Sequence, residues 1–559
     1  MVARRPWIVT TGLIAAGLLG SCQGGDMPTA DLILTNGVVW TGVAGSRPVE
    51  AMAISGRRVL AVGGVEEIDR LRTRDTRVVD LEGRLVTPGI IDAHTHFVSG
   101  GFQLSSVDLR DADSPAEFVR RIRDFASTIP AGTWITGGDW DHEAWGGQLP
   151  EAAWLDEAVP QHPVFVSRLD GHMALANRLA LEMAGIDANT PDPAGGAIVR
   201  DPSTGAPEGV LKDEAMSLVF AVMPRRSEAE LDQAVEAAAA HALSLGVTQV
   251  HDMGTWEHLA AYRRAHGRGQ LPLRVYSVVP MAMAERLRAF VADEGRGDDR
   301  LWWGGLKAFV DGSLGSTTAW FYEPYADEPE TSGLLTTDTV QLRRDILDAD
   351  RAGLHVITHA IGDRANDWLL DVYRDAREQN GDRDRRFRIE HAQHLSREAI
   401  ARFGAEGVIP SMQPYHAIDD GRWAEKRIGP ERLETTYAFR SLLDSGAPVA
   451  FGSDWTVAPL SPVLGMYGAA TRRTLDGLNP MGWVPEERIT VEEALEAYTA
   501  GSAYAGYAEG RVGRLEPGML ADIAVFHRNI LGLDPAEIEG VRVDLTIVDG
   551  EVVFERVDD

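Results

Sequence analysis

Val86-Thr87-Pro88-Gly89-Ile90-Ile91-Asp92-Ala93-His94-Thr95-His96-Phe97 is an apolar run that ends in two histidines one residue apart. On a β-strand, residues i and i+2 point to the same face. His94 and His96 can therefore offer two imidazoles to one cation, and Pro88-Gly89 marks the strand's entrance. Alone, a His-x-His pair also fits two structural histidines. The reading turns on whether further ligands stand at the ends of later strands.

Downstream, strand-like runs alternate with helical ones, the pattern of an α/β fold with a parallel, TIM-like (β/α)8 barrel. After the first strand come 246–252, 273–279, 305–311, 354–359, 387–391, 408–413 and 449–454, which makes eight. Amphipathic stretches at 228–245 and 337–352 fit crossover helices. The count holds only if about 97–240 is a large insertion, well beyond an ordinary βα loop. That segment carries Trp134, Trp140, Trp145, Trp154 and a strand-like run at 164–167. For the tryptophans, packing within the insertion is expected ahead of substrate contact. Short alternating runs fill 31–86, broken by Asn36-Gly37 and Ser55-Gly56, and the same texture returns over 510–559 with Asp549-Gly550 as a hairpin turn. The two chain ends are expected to build one small β-sandwich domain, with the barrel over 87–509.

The later runs supply the ligands. His359, His391 and Asp454 close the fifth, sixth and eighth, where a barrel places catalytic groups. Four imidazoles and a carboxylate suit a divalent metal, zinc foremost, at one or two ions per chain. Open coordination positions would let a bound water ionise near neutral pH.

Five stretches together carry a resemblance: Pro88-Gly89-Ile90-Ile91-Asp92-Ala93-His94-Thr95-His96, Lys307-Ala308-Phe309-Val310-Asp311-Gly312-Ser313, His359-Ala360-Ile361-Gly362-Asp363-Arg364-Ala365, Arg388-Ile389-Glu390-His391-Ala392-Gln393 and Gly452-Ser453-Asp454. With them the sequence resembles the amidohydrolase superfamily, and more closely the amidohydrolase family 3 branch that includes N-substituted formamide deformylase. Gly513-Arg514-Leu515-Glu516-Pro517-Gly518 with Ala521-Asp522 is similar to that family's return to its sandwich, so the likeness runs from about 31 to 555. These motifs are specific for fold and metal chemistry, not for substrate. The resemblance implies a sixth ligand, Lys307, carboxylated on its amine and bridging two metals. Such chemistry needs a neutral amine, hence a pKa depressed by burial and nearby cations. The competing assignment is a plain lysine in a one-metal site, paired with Asp311 or holding a substrate carboxylate. His172, Asp139, His142 and Glu214 fall in stretches that look like the branch's substrate-facing loops, although a hydrogen-bonded loop role fits each at least as well. His251, His355, His394 and His416 lie near the motifs without matching the ligand pattern.

The formal net charge of −30 argues against a nucleic-acid partner, since phosphate binding needs clustered Lys and Arg. Arg4, Arg5, an apolar stretch over 8–19 and Leu19-Gly20-Ser21-Cys22 resemble a bacterial lipoprotein signal over 1–22. The mature protein would then be lipid-anchored to a membrane at Cys22, in the bacterial cell envelope and facing the periplasm or exterior. Cys22 is the only cysteine, which leaves neither an intramolecular disulfide nor a thiolate metal ligand.

The expected activity is hydrolysis of a carbon–nitrogen bond in a small-molecule substrate, an amide or N-acyl/N-formyl group, by a metal-activated hydroxide. His94 and His96 would hold one metal, His359 and His391 the other. Asp454 would serve as ligand and general base, then pass the proton to the leaving amine. One rival is a mononuclear ring aminohydrolase, whose relatives usually carry a glutamate three residues after the strand-five histidine, where this chain has Gly362. The other is a catalytically inactive, lipid-anchored binding protein, and against it none of the six ligand positions is missing. Oligomerisation is left open.

Overall fold

The computed structural model describes residues 28–557. Eight parallel strands form the central sheet: β1 (Ile90–Thr95), β2 (Val247–Met253), β3 (Arg274–Pro280), β4 (Leu301–Phe309), β5 (His355–Ala360), β6 (Arg388–His391), β7 (Ile409–Met412) and β8 (Ala450–Phe451). They neighbour one another in chain order, and a parallel bridge between Thr95 and Trp455 brings the first back to the loop after the last. The sheet is thus a nearly closed TIM-like barrel. Helices such as Glu228–Ser244, opened by a Ser227/Glu230 capping box, and Thr339–Arg351, capped by Asp338, are the crossovers.

Two strands differ from their expected spans, with consequences for the site. β4 starts four residues before the expected 305 because Trp302 and Trp303 are buried and belong to it. Trp302 stacks on Tyr276 and donates its Nε1–H to the Gly506 carbonyl. Lys307 consequently lies inside the strand, and Asp311 beyond its end. β8 is only two residues long, so Asp454 does not close it but stands in the following loop.

Beside the barrel lie two further sheets. In the four-stranded one the order is Arg58–Gly63, Ala51–Ser55, Leu32–Thr35, Arg77–Asp80. In the five-stranded one it is Val38–Val39, Leu85–Pro88, Ile523–Phe526, Val543–Val548, Glu551–Glu555. Leu32, Met52, Val86, Ile523 and Ile547 share one core between them. Leu85–Pro88 therefore belongs to this second domain, and the chain enters the barrel at Gly89. A Cβ on Gly89 would fall 2.2 Å from Thr248 Oγ1, so only glycine allows this approach to β2. Arg274, at the start of β3, donates to Asp522 and Asp549 and fastens the sheets to the barrel.

The insertion between β1 and β2 carries a six-stranded sheet in the order Gly196–Arg200, Pro207–Asp213, Met173–Ala176, Phe165–Arg168, Gly137–Trp140, Val107–Asp108. Only the fourth of these strands corresponds to a run expected from sequence. Trp140, Trp145 and Trp154 pack edge-on around Phe118, and Trp134 packs against a neighbouring cluster. No helix among the described residues is long and apolar enough to cross a membrane.

Candidate metal centre

β1 carries Asp92 and His94 on one face, as strand alternation requires. His96 lies just past the strand, and its ring is 5.6 Å from that of His94. Asp92 accepts from the backbone amides of His94 and Ser453, tying β1 to the loop after β8. Burial pushes this carboxyl up to about 7. In that loop Asp454 has φ +59 and donates its own amide to the His94 carbonyl at 2.7 Å. Its Oδ1 lies 3.2 Å from His96 Nε2 and 3.4 Å from His94 Nε2, yet has no hydrogen-bond partner among the described residues. Burial acts to raise the Asp454 pKa, but the imidazoles of His94, His96 and His416 outweigh it and hold the carboxyl below the usual carboxylate range.

His359, second from the end of β5, approaches the Gly312 carbonyl through Nε2 at 2.9 Å, leaving a buried, unpartnered Nδ1. His391, at the end of β6 with φ +74, has Nδ1 2.8 Å from Gln413 Oε1, and its ring is 4.5 Å from that of His359. Burial holds His94, His359 and His391 well below the ordinary imidazole value, and the neutral ring is the form that binds a metal. Lys307 Nζ is buried 3.4 Å from His94 Nε2, and burial pushes it down to about 8. It does not pair with Asp311, whose oxygens accept from the amides of Trp320, Ile361 and Gly362.

Donor atoms gather in two groups that share Asp454: His94, His96 and Asp454, and His391, His416 and Asp454. His416, which the sequence pattern excluded, lies on the helix Pro414–Asp420 that follows β7, and its buried Nε2 is also unpartnered. His416 and Asp454 thus each bring an unpartnered buried atom to residues already grouped as donors, and His359 Nδ1 is a third such atom in the same cavity wall. A divalent cation fits that set.

Around these residues opens a cavity of about 600 Å3, lined by His172 and Asp139 as well as by all six expected ligands. His172 meets Asp213 through Nδ1 at 2.7 Å. Asp139, pushed up to about 6 by burial, accepts from Gln103 and has Arg110 at 3.7 Å. Glu214 is exposed and stands outside the cavity lining, one residue past the strand that ends at the buried Asp213. His142 is buried against Arg168 and belongs to a neighbouring cleft with Glu143 and Arg427.

A profile of the Amidohydrolase family matches residues 77–554. The chain belongs to that family. Among similar chains, Protein LONG AFTER FAR-RED 3 of Arabidopsis thaliana is 41% identical over 513 residues, covering 89% of this chain and 88% of that protein. N-substituted formamide deformylase of Arthrobacter pascens is 30% identical, covering 94% and 98%. The crystal structure of an uncharacterized metal-dependent hydrolase from Pyrococcus horikoshii OT3 superposes with a TM-score of 0.74 at 30% identity, covering 90% of this chain and 99% of that one. Family, fold and donor set together make this amidohydrolase a metal-dependent hydrolase with a divalent ion at the barrel mouth.

Proposed function

We propose that the protein hydrolyses the carbon–nitrogen bond of a small-molecule amide, with an N-acyl or N-formyl group as the acyl part. The observation that carries this reading is Asp454, a buried carboxylate with one unpartnered oxygen between two sets of imidazoles. A divalent cation, zinc by its ligand chemistry, supplies Lewis acidity: it acidifies water and polarises a carbonyl. Asp454, ionised at neutral pH, takes the proton of the attacking water and delivers it to the leaving nitrogen. His94, His96, His359 and His391 would hold the cation, and Lys307, carboxylated on its amine, would be a further ligand. The proximity of its amine to His94 and its lowered pKa support that assignment. His172 and Asp139 face the substrate. The ring-aminohydrolase alternative meets a steric objection, since a Cβ at Gly362 would lie 2.0 Å from the Trp320 carbonyl oxygen and leaves no room for a glutamate.

The test is a screen of purified protein against N-formyl amines, N-acyl amino acids, lactones and phosphotriesters, with metal content measured on the same sample. Turnover of amides above the other classes supports the reading; a preference for lactones or phosphotriesters overturns it. We also propose that Cys22, which lies outside the described residues, anchors the chain to a bacterial membrane.

A further inference from the structure

Two cavities of very different size meet at the metal centre, and His172, His359, His391 and Asp454 line both. The wide one, of about 600 Å3, has apolar walls from Phe102, Phe165, Phe220, Met223 and Phe309. Phe220 is 54% exposed, with its ring edge-on to Phe165 at 5.2 Å, and stands at the mouth. The second is a recess of about 40 Å3 reaching toward Arg168, Asp170, Leu314, Asp420 and Trp423. His416 stands on its wall as well, and at roughly 10–15 Å3 per water the recess admits only a few non-hydrogen atoms, the share of a cation held by His391, His416 and Asp454 included. Its walls are braced. Arg168 pairs with Asp141 and Asp170, Arg422 with Asp141 and Asp419, and Asp420 accepts from Tyr437 Oη at 2.5 Å and Gln393 Nε2 at 2.8 Å. Widening the recess would break buried ion pairs, which resists any larger occupant.

We infer that the substrate is asymmetric: an amide with one small group, of at most about three non-hydrogen atoms, seated in the recess, and one bulky apolar group along the phenylalanine walls. This rests on the amide-hydrolase reading above. In the reaction the oxygen of water bonds to the carbonyl carbon and the C–N bond breaks. The products are a carboxylic acid and an amine that carries off a proton of that water. The scissile bond lies at the junction, where Asp454 faces both cavities.

Four amides test this on the metal-loaded protein: N-phenethylacetamide, N-methyl-3-phenylpropanamide, N-phenethyl-3-phenylpropanamide and N-methylacetamide. kcat/KM for one of the two asymmetric compounds is expected to exceed both the doubly bulky and the doubly small compound by about tenfold or more, the effect of a misfit in an enclosed pocket. Which asymmetric compound wins identifies the end held in the recess. A doubly bulky amide turned over within tenfold of the better asymmetric one overturns the inference. Should none be hydrolysed, the amide reading fails, and calorimetric Kd values for the same four compounds then decide the asymmetry by the same tenfold criterion. Leu314→Ala, or Leu169→Ala where the first does not fold, should enlarge the recess and raise turnover or affinity of the doubly bulky amide by about tenfold. No gain in a folded variant counts against the recess as a binding element.

Discussion

Glu390 Oε2 lies 2.5 Å from Nδ1 of His94, and neither side chain reaches solvent. The carboxylate is itself held by Arg388, which also donates to the Ala93 carbonyl and Ser411 Oγ and lies 3.0 Å from His251 Nδ1. With its Nδ1–H given to Glu390, His94 turns the Nε2 lone pair toward Asp454 and Lys307. Glu390→Gln should weaken divalent-metal affinity by about 10–100-fold. It should also destabilise the fold, because Arg388 loses its buried counter-charge. Competition against a chromophoric chelator, on protein whose fold is checked by circular dichroism, reads the first effect. Wild-type affinity in a folded variant would mean that the contact does not tune the metal.

Asp454→Asn separates binding from chemistry. Asparagine keeps a carbonyl oxygen for the cation but cannot carry the proton, so turnover should fall by about 10²–10⁴ while fold and most metal remain. Turnover, metal content and thermal stability measured side by side distinguish the roles. Unchanged turnover with metal retained removes Asp454 from the proton path.

Because burial pushes the Lys307 amine down to about 8 in the metal-free protein, the neutral form that captures carbon dioxide becomes abundant as pH rises through 8. Metal uptake by apoprotein should therefore be faster at pH 9 than at pH 6.5, be accelerated by bicarbonate, and approach two ions per chain. In Lys307→Met both dependences should vanish and the count drop toward one. Uptake indifferent to bicarbonate in the wild type speaks for the plain lysine.

Burial pushes the Asp420 carboxyl up to about 7 from an ordinary 3.8, against the hydrogen bond from Tyr437. Between those values the folded chain keeps a proton that the unfolded chain has lost. Stability from this group is thus full below about pH 4 and fades as pH climbs to about 7. Asp420→Asn abolishes that titration. The variant's stability relative to wild type should rise from pH 5 to pH 8, by at most about 3 kcal/mol. Denaturant melts of both proteins across this range read the difference, and a flat difference contradicts a buried, protonated Asp420.

For the membrane anchor, Cys22→Ala should release the protein into the soluble extracytoplasmic fraction. Fractionation of cells carrying each form, with mass spectrometry of the mature N-terminus, checks this. A wild-type chain without lipid at Cys22 would end the proposal.

The barrel was legible because its strands, buried on both faces, read as short apolar runs punctuated by ligands; the first ends at Thr95, one residue short of the expected His94 and His96 strand pair, yet the two rings still lie 5.6 Å apart. What escaped reading was non-local or off by one position. Gly137–Trp140 contains two glycines and an aspartate and carries no strand alternation, so the insertion's sheet stayed hidden. His416 lies on a helix instead of at a strand end, and only folding brings it beside Asp454. Glu214 and Asp213 differ by one residue, which at a strand's end is the difference between solvent and a buried place behind His172. Glu390 stood within a recognised motif, but its partner His94 is 296 residues away in sequence.

Val86 pairs with Val525 across the antiparallel ladder that joins Leu85–Pro88 to Ile523–Phe526. During synthesis the first of these strands leaves the ribosome long before the second exists. For most of translation its hydrogen-bonding edge has no mate, an invitation to mispairing that a growing chain must be shielded from. A premature stop between the barrel and Ile523 would likewise leave Leu85–Pro88 without its antiparallel mate, so damage written near the end of the message is felt at its beginning.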